Sequence, residues 1–464
     1  MKRIIIPAFI ATSLVTTIFA NSNEMANKIA KLHTKLSGDA FEFKSIKAKD
    51  GYDISISSKN PLYKDIFNSK AKIHISVDEG PLITTPSFGF GKAGLKANGA
   101  IADIFNQEIS TNIKKTFKDG IKYDLTGKVS FGDELKEHIA IEPLSIVDKD
   151  TKIDMSKTLI NLTANLDKMI SSYNVELKSL KITPPQKQGK GVSLKDIYLD
   201  YKGTEAPIDG FMIFGDSKVQ IGNVNMNLKS PRGDVKFNGK MDISGSVKRV
   251  NKELLDFSMK EGFSTNDKDT IALTKGVKAQ SFDLELKNLG IKGMVDFMKL
   301  TKEQQDLSAK MLEASKKNDD VALQKAIIEL QDFNNKLVPV INELIKKDKT
   351  KIVTDLELTS DKTSFVKLNL TYEGEPLQGN INSAFITLAA QGLNLFNGDI
   401  NIKLDGNLAN SLYPMSALVL VMLQSKGFAT MKNGVYELHA KLKDGKVLIN
   451  GKSYTLQELT RSLF

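Results

Sequence analysis

The chain holds four histidines, His33, His74, His138 and His439, and no cysteine. A thiolate nucleophile, a disulfide framework and a thiolate metal site are therefore excluded. Histidine is the side chain best suited to metal binding or proton transfer near neutral pH, so its neighbours decide what chemistry is open. None of the four lies at metal-ligand spacing from another. His74 has carboxylates close by in sequence, Asp78 and Glu79, but a satisfied or solvent-facing histidine is the better reading of that group. No H-E-x-x-H, G-x-S-x-G or P-loop pattern occurs. Asp and Glu are too numerous to single out a general acid or base. The sequence thus assigns no catalytic, no cofactor-binding and no metal-ligating residue, and the expectation is a protein without cofactor that is not an enzyme.

One Gly-rich stretch could mimic a nucleotide site. "GFGKAG" (Gly89–Gly94) matches G-x-G-x-x-G, but that fingerprint needs a buried strand running into it and a helix opening within it. Here "LITTPS" precedes it, and the stretch reads as a flexible loop. "DEGPLITTP" just upstream reads as a tight reversal at Gly80-Pro81.

The net charge of +10 raises nucleic-acid binding and then argues against it. Of 65 basic residues only Arg3, Arg232, Arg249 and Arg461 are arginine, and there is no tryptophan. Phosphate and base recognition favours the planar guanidinium. The lysines instead recur at strand spacing, as in "VKFNGKMDISGSVK", which describes a solvated face. No nucleic-acid partner is expected.

The N-terminus bears on location. "MKRIIIPAFIATSLVTTIFANS" runs from Lys2 and Arg3 through an uncharged apolar stretch, Ile4 to Ala20, into polar residues. That is the layout of an export signal. As a helix the apolar run spans roughly 25 Å, slightly short of a bilayer core. It fits a signal cleaved after Ala20 somewhat better than an uncleaved inner-membrane anchor. Either way residues beyond 20 are expected outside the cytoplasm, in a periplasm, free or tethered to the inner membrane. "LYPMSALVLVMLQ" (Leu412–Gln424) is too short to span a membrane and reads as a buried helix.

The elements that would position any site follow from periodicity. Met25, Ile29, Leu32 and Leu36 recur at helical spacing, and then the period becomes two. "YDISISS", "AKIHISV", "KYDLTGKVSF", "KVQIGNVNMNL", "DVKFNGKMDISGSV", "QSFDLELKNL", "SFVKLNLTY" and "DINIKLDGNL" alternate apolar with polar residues. Such strands have one wet face and, with few helices between them, predict antiparallel meanders. Many carry a mid-strand glycine (Gly127, Gly239, Gly406) that permits bending or close approach. Helices are predicted around Ile101–Phe117, over "KELLDF", and over Leu408–Lys426. A helical hairpin is predicted between about residues 294 and 347. Its first helix would start at the capping-box pattern Thr301-Lys-Glu-Gln304, and its second would be kinked or split by Pro339. "PPQKQGKG" (Pro184–Gly191) divides a β-rich region over 21–190, holding two helices, from a second over 191–464.

The chain closes with "VYELHAKL", a two-residue Asp444-Gly445 turn, "KVLING", and Thr455-Leu-Gln-Glu458, a capping box before a terminal helix. That order, with "VLINGK" and "TLQEL", resembles the YdgA/YihF family of bacterial envelope proteins (domain of unknown function 945). "EGPL" resembles that family's Gly-Pro-Leu/Phe turn, although Glu79 stands where a histidine is common. "FDLELKNLGIKGMVDFMKL" and "LVPVINELIKKDKTKIVTDLELTSD" also occur in the expected order. The resemblance covers roughly residues 24–464. It implies an exported, often inner-membrane-tethered, β-rich protein of unknown function, with no site residues to carry over.

The expected fold is α+β and β-dominated, a long curved antiparallel sheet or sheets with a helical-hairpin insert and short C-terminal helices. Two classes of function stand open. One is a non-enzymatic envelope protein binding a hydrophobic or lipid-like ligand, or a protein partner, along a curved sheet. The other is a structural or assembly factor that uses the helical hairpin as a dimer or partner surface. A periplasmic hydrolase is the poorest fit, because no nucleophile or metal set is recognisable.

Overall fold

A computed structural model describes residues 23–463 apart from 37–40, 59–67, 69–71, 84–89, 117–119, 131–132, 149–150, 186–188, 231–232, 318 and 414–415. The N-terminal segment read as an export signal, residues 1–22, lies outside the described residues. The chain forms two compact units: Met1–Val219 with Gln305–Ala326, and Gln220–Gln304 with Ile327–Phe464.

The first unit begins with helix α1 (Asn23–Leu36), which buries Ile29 and Leu32 as the apolar spacing predicts. Strands β1 (Phe41–Lys47), β2 (Gly51–Ser58), β3 (Lys72–Ile83), β4 (Phe90–Ala100), β5 (Lys122–Ser130) and β6 (Glu134–Ile141) each pair antiparallel with the next. A hairpin of β7 (Leu144–Asp148) and β8 (Thr151–Met155) interrupts the meander. The next partner of β6 is therefore β9 (Thr158–Asn165). Strand β10 (Ile170–Thr183) then pairs with β9, β8 and β11 (Gly189–Gly203). Alternation shows in the burial of β5 and β6, where Tyr123, Leu125, Val129, Leu135 and Ile139 belong to one apolar core. The predicted helix from Ile101 to Phe117 is broken. A 3₁₀ turn over Ile101–Ile104 buries three of its residues, and α2 (Gln107–Thr116) restarts where the Asn106 side chain accepts the Ile109 N–H at 2.9 Å.

In the second unit β13 (Gly233–Arg249), β14 (Leu254–Ser264), β15 (Ala279–Gly290), β16 (Lys351–Thr359), β17 (Thr363–Tyr372) and β18 (Phe396–Asp405) form an unbroken antiparallel run. Strand β12 (Gly215–Ser230) spans the division between the units. Next to β18 lies β20 (Val435–Lys443), flanked by β19 (Thr430–Lys432) and β21 (Lys446–Ile449), with β22 (Lys452–Tyr454) beyond. Asn433-Gly434, Asp444-Gly445 and Asn450-Gly451 join these strands, all with positive φ at both positions. That is the type I′ geometry that Asn-Gly and Asp-Gly favour.

Several helical expectations need correction. "KELLDF" is the start of β14, because the Asn251 side chain accepts the N–H groups of Glu253 and Leu254 and turns the chain into a strand. Helix α3 (Lys268–Leu273) was not legible, although Asp267 caps it by accepting the Thr270 N–H. In the helical pair, α4 (Ile291–Lys317) starts ten residues before Thr301, whose hydroxyl donates to the Phe297 carbonyl at 2.9 Å as a mid-helix residue does. Helix α5 (Asp320–Leu344) continues through Pro339 without a break. Helix α6 (Ile381–Gln391), capped by Asn380, also went unpredicted. The segment predicted as one buried helix is two, α7 (Gly406–Leu412) and α8 (Ser416–Ser425), and α8 is largely exposed. The closing helix α9 (Leu456–Leu463) carries its capping box: the Thr455 N–H donates to Glu458 at 2.7 Å, and the Glu458 N–H donates to Thr455 Oγ1 at 3.2 Å.

Candidate functional site

The histidines are dispersed. His74 does not engage Asp78 or Glu79. Its Nδ1 lies 2.9 Å from Asp53 and its Nε2 3.2 Å from Asp50, both reached across strand pairing from β2 and the turn before it. His138 pairs with Asn161 at 2.6 Å and His439 with Asn401, each facing its partner across neighbouring strands. These sites are exposed and are explained by cross-strand pairing. No group of three or more His, Cys, Asp or Glu is placed to hold a metal among the described residues. "GFGKAG" lies in β4 rather than in a loop, from Phe90 onward. The chain passes Gly80-Pro81 inside β3, with an irregular register between Glu79 and Leu82 in place of a reversal.

His33 is different. It sits one turn after Ile29 on the inner face of α1 and is 1% exposed. Glu137 occupies an inward position of β6, between Leu135 and Ile139, and is 3% exposed. In the sheet its direct neighbours are Gly127 and Leu162, neither of which offers a polar side chain. His33 Nε2 and Glu137 Oε1 are 3.7 Å apart, beyond hydrogen-bond length, and no described group hydrogen-bonds either side chain. The separation alone would admit an ion pair. Burial dominates, however: it pushes Glu137 up to about 8 and holds His33 down at about 3, so both are uncharged near neutrality.

A large concavity lies in the second unit, with a volume of about 690 Å³. Its floor is the sheet face carrying Phe257, Leu286, Ile352, Tyr372 and Phe396 from consecutive strands. Alternation along β15 sets Leu286 inward, and the Tyr372 and Phe396 rings meet edge to face with centroids 6.0 Å apart. The roof is the start of α4, with Met294 and Phe297, and the end of α5, with Ile341 and Ile345. Leu377 and Leu388 close one side.

Two polar devices hold the walls in place. Asn342 donates from Nδ2 to the Leu377 carbonyl and accepts the Leu377 N–H, both at 2.8 Å, which clamps the segment after β17 onto α5. The buried Thr350 hydroxyl accepts the Lys346 N–H at 2.8 Å and donates to the Asn288 carbonyl, tying the end of α5 to β15. Lysines 346 and 347 stand at the border. Lys346 pairs with Glu343 at 3.0 Å and holds its carboxyl below the usual range, while Glu375 raises Lys347. Burial raises the Tyr372 phenol, so the hydroxyl stays protonated. With its two lysines paired to carboxylates at the border and its interior hydrocarbon, the cavity disfavours a charged occupant.

The sequence reading assigned no residue to this cavity. The inward face of "QSFDLELKNL" and the apolar half of "LVPVINEL" were visible as amphipathic patterns. Nothing in one sequence tells that two such faces leave a space between them instead of filling it.

No curated protein and no solved structure matches the chain. A family model described as "Bacterial protein of unknown function (DUF945)" matches residues 52–457, which spans both units. The match covers most of the sequence, and the chain belongs to this bacterial family of unknown function.

Proposed function

We propose that this protein binds a hydrophobic, lipid-like ligand in the cavity roofed by α4 and α5, and that it does so as a non-enzymatic protein exported to the cell envelope. The observation that carries the reading is the cavity itself: about 690 Å³ walled by aliphatic and aromatic side chains. That volume lies within the roughly 300–1,000 Å³ of small-molecule sites. Its polar groups, Asn342 and Thr350, are already satisfied within the protein, so they favour an apolar occupant over one that must be hydrogen-bonded.

The test is displacement of a fluorescent fatty acid from the purified protein, together with mass spectrometry of what solvent extraction releases. Wild type should bind in a saturable manner. Phe297 is 44% exposed at the opening, so F297D should fold normally and weaken binding at least tenfold by setting a carboxylate against an apolar ligand. No saturable binding by a folded wild type would refute the reading. Export is checked separately by a reporter fused after residue 60 that is active only outside the cytoplasm.

A second reading, an assembly role for the helical pair, is favoured by Val321 and Ile328. They are 81% and 59% exposed, two turns apart on one face of α5. Light scattering of the V321D/I328D variant against wild type tests it, and an unchanged mass argues against self-association there.

A further inference from the structure

Helix α8 is apolar all round, yet only one side of it is used by the fold. Leu420 is 5% exposed, and Leu423 packs on the cluster of Phe428, Ala440, Leu442, Val447 and Ile449. On the opposite face Leu418 and Val421 are 53% and 52% exposed, and Val419 is 39% exposed. The outward apolar surface continues through Leu412 and Tyr413 at the end of α7. It reaches Leu273 at the end of α3, because Lys275 Nζ donates to the Leu412 carbonyl at 3.0 Å and the Ser411 hydroxyl donates to the Lys275 carbonyl at 2.8 Å.

The residues that build this surface carry charge of one sign. From Gly406 to Tyr436 the sequence contains no carboxylate and two lysines, Lys426 and Lys432, and Lys275 joins them through its contact with Leu412. All three lysines are exposed. The flanking acids are occupied elsewhere: Asp405 is buried and caps α7, Asp267 caps α3, Asp269 pairs with Lys236 at 3.1 Å, and Glu437 pairs with Lys403 at 3.5 Å.

We propose that the α7–α8 surface docks on a bilayer containing anionic lipid, with Leu418, Val419, Val421 and Tyr413 in the interface and Lys275, Lys426 and Lys432 against the headgroups. A helix whose outer face is aliphatic, flanked by an aromatic residue and lysines without acids, has the composition of an interfacial membrane element. Uniform lysine suits headgroup attraction, which needs point charges and no bidentate geometry. The docking surface does not depend on the cavity having a ligand.

The absence of tryptophan makes the test local, since V421W in the full chain places a single tryptophan, excited selectively over tyrosine, on the docking face. Its emission should shift to the blue, and brominated lipid should quench it, on phosphatidylcholine vesicles holding about 30% phosphatidylglycerol but not on pure phosphatidylcholine. V147W, at a 63% exposed position of β7, should show neither effect. K426E/K432E in the V421W chain should weaken the response on the order of tenfold or more. Adding F297D to the V421W chain should leave the response intact, which separates docking from the cavity reading. The proposal is overturned if the V421W signal ignores vesicles that the protein co-sediments with, since another segment then makes the contact. It is equally overturned if the shift follows protein concentration without lipid, or if both vesicle types give the same response.

Discussion

His33 Nε2 and Glu137 Oε1 face each other at 3.7 Å inside the first unit, with neither side chain open to solvent. In the unfolded chain they titrate near their ordinary values of 6.5 and 4.5; in the folded chain near 3 and near 8. Between pH 5 and 6 the unfolded chain carries about one proton on the pair, on His33, and the folded chain carries one, on Glu137. The two states then bind equal numbers of protons, and the pair's contribution to stability is at its maximum, near pH 5.5 or about midway between 4.5 and 6.5. Above that point the unfolded chain loses its histidine proton while the folded chain keeps Glu137 protonated up to about 8, so stability falls as pH rises. Below it the unfolded chain also protonates its glutamate while folded His33 stays neutral down to about 3, so stability falls as pH drops. E137Q should flatten the alkaline side of the curve, and H33L the acid side, relative to wild type in denaturant melts at pH 4, 5.5 and 8. Parallel curves for all three proteins would show that folding shifts neither group's pKa, contrary to the burial argument.

The Asp444-Gly445 turn makes a sharper demand than a hairpin alone. Both residues have positive φ, 51° and 71°, and a Cβ on Gly445 would lie 1.8 Å from the Asn394 side-chain oxygen. G445V should cost on the order of 1–3 kcal/mol from backbone strain alone. The expected result is a lowered melting temperature with ligand affinity per folded molecule unchanged. Wild-type stability with binding abolished would mean that this turn belongs to a site.

Gly293 lets the start of α4 lie against the end of α5. A Cβ there would sit 2.2 Å from the Leu344 backbone nitrogen, which cannot swing aside as a side chain can. G293A should therefore destabilise by about 1–3 kcal/mol and shift the cavity roof. Thermal melts and fatty-acid affinity should both decline. An unaltered pair of values would show that the two helices are not held at this distance.

The strands were legible because half-buried antiparallel strands write their orientation into alternate residues, and Asn-Gly and Asp-Gly name their own turns. The helical errors share one cause. A capping pattern at Thr301 and an apolar cluster in "KELLDF" are local signals, and the packing of α4 on α5 and the pairing of β14 with β13 outweigh them. Glu137 could be read as inward from its place between Leu135 and Ile139, but only the fold brings His33 to it from more than a hundred residues away. The exposure of α8 was least legible. Periodicity reports which residues are apolar, and a helix apolar on every side says nothing about which side is covered.

The neighbour-to-neighbour strand order also sets a timetable for assembly. Where each strand pairs with the one just made, loop closure is cheap and the sheet can zip in the order of synthesis. Strand β18 is one exception, as β15 is before α4 and α5, because its outer partner β20 arrives only after α7 and α8 have been made. Until then β18 presents ten residues of unpaired backbone, the kind of open edge at which chains join one another. Slowing elongation between residues 405 and 435 should therefore raise the aggregated fraction more than the same pause placed within the β16–β17 hairpin.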